Sequence, residues 1–314
     1  MALFPYNHKF GQLIQTDVER HSVDRSFLAH FRVAAADCTA ANTNGAMALT
    51  NLGAVAASII TGLTNPAVPR NVQIDGNVSG ITGNVKVYGT NIANAVISET
   101  IALNGTTDVA GALAFKTITK VDLPVQVHTP AEQTETIEIT GAPSSDGDIT
   151  MAITAAILGD ASPKAVVVPL TTALNTVTLA AAAIVAALNA DEDVSEHFVA
   201  SNEDGVITLT AKVPLANDTT LAFGFTDTDT TGTTAGSSTN GTTGVPYDKV
   251  SVGFGKKFGL PYKLTADELV ILKLFDNAVD AGTVTADDDE IEKNVYLVNG
   301  TPDGLKPLDL YIIV

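Results

Sequence analysis

Four groups of residues in this chain have types suited to chemistry, and their spacing decides what each can do. The stretch "VQIDGNVSGITGNVKVYGTNI" (72–92) sets Gly76, Gly80, Gly83 and Gly89 among β-branched residues. A dinucleotide-binding fingerprint needs G-x-G-x-x-G between a strand and a helix. Residues 76–83 instead give G-x-x-x-G-x-x-G, and "NVKVYG", a strand pattern, follows. These glycines are expected at turns and bulges between short strands. "GFGKKFG" (253–259) puts two lysines among glycines, but a phosphate-binding loop needs G-x-x-x-x-G-K-[ST]. Val250 stands where the first glycine belongs and Lys257 where Ser or Thr belongs. A hairpin tip with solvated lysines is expected there, the other reading being a basic docking point for an acidic neighbour.

The histidines at 8, 21, 30, 128 and 197 have neither H-x₃-H nor H-E-x-x-H spacing. The acid clusters "NADEDVSE" (189–196) and "ADDDEIE" (286–292) lack the D-x-[DN]-x-[DN]-G-x₅-E order of a calcium loop and read as solvated turns. There is no G-x-S-x-G elbow. Cys38 is the single cysteine, so no intrachain disulfide forms, and it reads as a small buried hydrophobe. No catalytic, cofactor-binding or metal-binding residue is expected, and the chain does not read as an enzyme.

Composition bounds the partners. A net charge of −18 and a pI near 4.4 repel nucleic-acid phosphate. The longest apolar run, "LAAAAIVAAL" (179–188), has ten residues, against the roughly 20 of a membrane span. No signal-peptide block opens the chain. On composition alone the expected compartment is cytoplasmic.

The elements follow from periodicity. Residues 70–125 alternate apolar and polar side chains at period two, with Gly, Asn and Asp between the runs, and read as all-β. From about 127 the texture changes. "TETIEIT", "DITMAIT", "AVVVPL", "GVITLTAKV" and "TTLAFGF" read as strands. "TVTLAAAAIVAALNA" (176–190) reads as a helix, capped by Thr176 or Thr178 and closed by Asn189. Residues 226–244, almost wholly Gly, Ser, Thr, Asn and Asp, resemble a flexible linker or exposed loop. "KVSVGFG" (249–255) then resumes the earlier β texture. "TADELVILKLF" (265–275) opens with a capping-box spacing, yet its nearly continuous β-rich run favours a buried strand. "EKNVYLVNG" and "PLDLYIIV" are strands.

The expected fold is therefore mainly β: a β-sandwich or barrel-like domain interrupted by a small inserted α+β domain. Residues 1–59 form an N-terminal arm and lead-in, 60–126 plus 246–314 the β domain, and 127–245 the insert. Charge agrees with this division, since the insert holds fifteen Asp/Glu against two Lys, a net −13. Residues 1–33 are different again, with four of the eleven Phe and four of the seventeen basic residues. Phe4, Phe10, Arg20, Arg25, Phe27, Phe31 and Arg32 are the candidate interface, because aromatics and Arg dominate protein contacts. "FLAHFRV" (27–33) fits a strand or a short helix.

One span carries more than generic β texture. "NPAVPRN" (65–71) leads into "GNVKVYGTN" (83–91), then "SETIALNG" (98–105) and "AFKTI" (114–118). Together with "VSVGFGKKFGLPYKL" (250–264) and "IEKNVYLVNGTPDGLKPLDLYIIV" (291–314), this resembles structural proteins of tailed-bacteriophage virions. The resemblance covers most of 60–314 and implies a virion component without catalysis or cofactor. Its partners would be the major capsid protein or other virion proteins, as a homo-oligomer. A head decoration or auxiliary capsid role is favoured over a tail tube or tail-surface role, because the strands are short and glycine-broken and the insert is acidic. A host- or carbohydrate-binding module is the rival of another class. Sugar sites use aromatic platforms, and this chain has no Trp.

Overall fold

The computed structural model describes residues 27–314. It is mainly β, with 45% of residues in strands and 12% in helices, several antiparallel sheets and a curled half-barrel. Phe4, Phe10, Arg20 and Arg25 lie outside the described residues.

Two sheets face each other across the main core. One runs in the order Thr283–Thr285, Val295–Leu297, Lys249–Gly259, Arg70–Gly76, Val109–Phe115, with Met47–Asn51 also on Lys249–Gly259. The other runs Ala57–Ile59, Thr117–Leu123, Asn84–Thr90, Val96–Ala102. Val72, Ile74, Val85, Val87, Phe115, Val121, Val250 and Val252 fill the space between. In Asn84–Thr90 the period-two pattern sends Val85 and Val87 inward and Lys86 and Tyr88 outward. There Lys86 and Lys120 Nζ lie 4.8 and 3.9 Å from the Tyr88 ring centre. Each inward Val, Ile or Phe contributes about 1.5–3 kcal/mol by leaving water. Strand Arg70–Gly76 is buried on both faces, because the sandwich core takes Val72 and Ile74 on one side and the segment 39–42 covers Arg70 and Gln73 on the other. Gly83 supplies a φ of +112° at the turn into Asn84–Thr90, a backbone that only glycine adopts freely.

A further sheet gathers both ends of the described chain, in the order Leu28–Val33, Leu308–Ile313, Val270–Phe275, Ala278–Val279. It packs on a core of Val33, Phe258, Leu264, Tyr296, Leu308, Leu310 and Ile312. "FLAHFRV" is thus a strand. "TADELVILKLF" divides: a single 3₁₀ turn, Asp267–Leu269, uses the polar start, and Val270–Phe275 is a strand, but not the buried one expected, since Ile271 and Leu272 are exposed. The capping signal was local, and sheet pairing took the apolar remainder.

Residues between Gln133 and Thr242 form two more sheets, ordered Lys164–Leu170, Gly147–Thr154, Ala222–Asp227 and Phe198–Glu203, Val206–Ala211, Thr134–Gly141, Thr234–Ala235. Two helices, Val177–Ala190 and Glu192–His197, accompany them. All buried members of their core lie between Ile137 and Phe223. Thr176 caps the longer helix, accepting from the Leu179 N–H at 3.2 Å. Ala180, Ala181, Ile184 and Leu188 are buried, the alanines bringing the helix close to the sheet. Asn189 does not close this helix. Its amide clasps Ala200 instead, donating to the carbonyl and accepting from the N–H, each at 2.9 Å.

Two expectations are corrected. Residues 226–244 are not a free linker: Thr234–Ala235 and Thr239–Asn240 pair with strand Thr134–Gly141, and Thr231 and Thr233 are buried. Their hydroxyls bond each other at 2.8 Å, so a composition typical of linkers is satisfied internally. "GFGKKFG" is not a hairpin tip but the bulged half of strand Lys249–Gly259. Buried Arg70 holds that bulge, donating twice to the Gly255 carbonyl and to Thr39 Oγ1 (3.0 Å) and O (3.2 Å).

Candidate assembly surface

The terminal sheet places the remaining members of the sequence-derived interface. Register puts Leu28, His30 and Arg32 opposite Ile313, Tyr311 and Asp309 on one face. His30 stacks on Tyr311 at 4.7 Å and its Nε2 lies 2.6 Å from Asp309 Oδ1, while Arg32 Nε lies 3.7 Å from the same oxygen. Leu28, 61% exposed, and Leu272 extend this outer face. Phe31 points the other way and packs against the core, and Phe27 is tied backbone-to-backbone to Val314, each N–H to the other's carbonyl at 2.8 Å. Of the three described candidates, Arg32 is exposed, Phe31 packs inward and Phe27 is half-buried.

A larger surface was missed by the sequence reading. Between Asp37 and Arg70 there is no charged residue for 32 positions, 38–69, in a chain of net charge −18. In the fold this run includes strand Ala57–Ile59, at the end of its sheet and, among the described residues, with a neighbour on one side only. Val55 is 77% and Ile60 68% exposed, and Ala54, Ala56 and Ala57 beside them are exposed as well. Val125 and Val127, also exposed, continue the patch, since Gln126 donates to the Gly53 carbonyl at 2.8 Å. Natural edge strands are normally guarded by Lys, Pro, a bulge or shortness. This one is short, three residues, but carries no charge, Pro or bulge. The charge-free run was the available signal.

The opposite seam of the sandwich is sealed. Strands Val96–Ala102 and Val109–Phe115 belong to different sheets, and Glu99 spans them, accepting from the backbone N–H groups of Ala112 (2.5 Å) and Leu113 (3.3 Å). Burial pushes the Glu99 carboxyl up, against the pull of those two N–H groups and of Lys257. One seam is thus closed by a carboxylate, while the other ends in open, uncharged strand.

Other chemistry-bearing groups are spent within the fold. Asp287 accepts from the N–H groups of Asp289 and Glu290 at 2.9 and 2.8 Å. Asp191 caps Val194, and Lys164 bridges Asp191 and Asp193. Among the described residues no three His, Cys, Asp or Glu side chains gather as a metal site. Burial pushes the Cys38 thiol up to about 11, far from a reactive thiolate. A pocket of about 280 Å³ lies among Ile157, Phe198, Ala211, Leu215 and Leu221. The Gln133 amide at its wall is used on both sides by the Asp218 backbone (2.8 and 2.7 Å), so it offers apolar volume rather than a free amide. No helix among the described residues is long and apolar enough to cross a membrane.

No protein-family model, curated protein or solved structure matches the chain.

Proposed function

We propose that this chain is a non-enzymatic structural subunit of a tailed-bacteriophage virion, and that it decorates the head by binding the major capsid protein lattice. The observation that carries this reading is the open seam: an exposed, uncharged edge strand on a protein of net charge −18 is built for contact with another chain rather than for solvent. A second support is that the two separated stretches resembling virion proteins join in one sheet, with Arg70–Gly76 paired along Lys249–Gly259. In the same proposal residues 127–245 form an inserted module whose net −13 charge faces outward, away from packaged nucleic acid and neighbouring subunits. A copy that binds only the assembled shell stabilises it by mass action.

A tail role is the second reading, favoured by the open sheet edge, which suits a subunit whose sheet continues into a neighbour. Mass spectrometry of separated heads and tails distinguishes the two. Decoration predicts the protein in tailless heads, and heads lacking it that still assemble but rupture at lower temperature. Finding it only in tails, or finding no particles without it, overturns the decorating role.

A further inference from the structure

We propose that the open seam is occupied by a second copy of this chain, strand Ala57–Ile59 pairing antiparallel with itself about a two-fold axis at Ser58. The inference rests on reading this chain as an assembling structural subunit; it gives the seam to a second copy and fixes the register, so that the capsid lattice is met by another face. Charge selects this surface. Two molecules of net charge −18 repel at long range, and the uncharged run 38–69 lets copies meet without forcing carboxylates together. The pattern is also self-complementary. A two-fold centred on Ser58 puts Ala57 of each copy opposite Ile59 of the other, small against large. Ser58 donates to Asp122 Oδ1 at 2.5 Å, so both are engaged within their own subunit. Gly53, Ala54 and Ala56 add no bulk to oppose close approach, while Val55 and Ile60 supply exposed apolar area at the flanks of the strand. Pairing joins two four-stranded sheets into one of eight and removes the unguarded edge from each.

Sedimentation equilibrium of the full chain tests this, with two variants. Wild type is expected to dimerise. Val55→Lys combined with Ile60→Lys, both at highly exposed positions and so tolerated by the fold, places like charges on both sides of the seam and is expected to weaken the dimer about 100-fold, with an unchanged thermal transition. Ser58→Cys, in a chain whose only native cysteine is buried, is expected to form a disulfide-linked dimer under mild oxidant, because residues facing each other across antiparallel strands lie within disulfide reach. A monomeric wild type, a dimer indifferent to the two lysines, an assembly larger than a dimer, or a Ser58→Cys variant that forms no cross-link would each overturn the proposal. The virion reading fails separately, by absence of the protein from purified particles.

Discussion

Asp248 clasps His128, and with it the neighbouring Val127 N–H, by three hydrogen bonds at the point where the chain leaves and re-enters the central sandwich. Its Oδ2 accepts the backbone N–H groups of Val127 and His128 at 2.6 and 2.9 Å, and its Oδ1 lies 2.8 Å from His128 Nδ1. The carboxylate is fully buried. Replacing Asp248 by Asn turns a donor toward donors, and an amide cannot satisfy all three. The expected cost is about 2 kcal/mol, read as a lower urea midpoint with an unchanged slope. A variant as stable as wild type would show that the clasp contributes nothing.

The same residue sets an acid limit. Burial alone would push the Asp248 carboxyl up, but the His128 and Val127 N–H groups and the His128 ring outweigh it and hold it below the usual carboxylate range. A folded-state value below the unfolded one gives stability that is complete above the unfolded value, near 3.9, and is lost as pH falls through the folded value. Stability should therefore decline below about pH 4, and Asp248→Asn should flatten part of that decline. Parallel acid-unfolding curves for the two proteins would refute this assignment.

Much of the fold was legible because sheet pairing and local pattern agreed. Val85, Val87, Ile149, Met151 and Ile153 alternate in sequence and are buried as the alternation requires. What was not legible depended on partners distant in sequence. Residues 226–244 look like linker until Thr134–Gly141 is alongside to accept them. "GFGKKFG" looks like a turn because nothing local announces Arg70, 185 positions from Gly255. The proposed assembly surface was hidden for the opposite reason: its signal is an absence of charge over 38–69, which attracts no motif search.

Glu99 should respond to pH in the sense opposite to Asp248. Burial raises its carboxyl above the ordinary glutamate value. A raised folded-state value gives a contribution that is full below the unfolded value and is lost as pH rises through the folded one. The Glu99 seam is thus expected to hold best in acid, and Glu99→Gln should remove the loss of stability that sets in as pH rises above the ordinary glutamate value, about 4.3. Gly111→Ala tests the contact sterically, since a Cβ there meets the Glu99 carboxylate. Displacing it should cost about 1 kcal/mol and speed exchange of the Ala112 amide. An unaltered Ala112 exchange rate in Gly111→Ala would count against the seal.

Arg70 has the burial of an ion pair without a carboxylate. It is 2% exposed, and burial lowers its guanidinium to about 10. Its bonds run to carbonyls and a hydroxyl of Gly255 and Thr39, with the Phe258 ring centre 4.8 Å away. The planar fork is what serves two acceptor sites at once. Arg70→Lys is therefore expected to be nearly as damaging as Arg70→Met, at about 3 kcal/mol, because an ammonium cannot span both carbonyls. Chemical denaturation of both variants decides it, and full rescue by Lys would show that charge rather than geometry matters.

The last prediction concerns where the segment 127–245 can be cut away. The buried members of its core all lie between Ile137 and Phe223, with Phe225 and Ala235 packed against them, and its two ends meet at the Ala131–Val245 bridge, with both backbone hydrogen bonds at 2.9 Å. Those facts favour excision with a short Gly-Ser join. The exact boundary matters, however. Removing 127–245 strips Asp248 of every donor described above and leaves a buried carboxylate unpaired, which costs several kcal/mol. Removing 129–246 keeps Val127, His128 and Asp248 together. The shorter excision is expected to give a cooperative thermal transition, and the longer one a markedly lower midpoint that Asp248→Ser partly restores. Equal midpoints for the two excisions would mean that the clasp does not hold the neck. Loss of cooperative unfolding in both would mean that the sandwich cannot stand without the segment, and that 127–245 is not an insert.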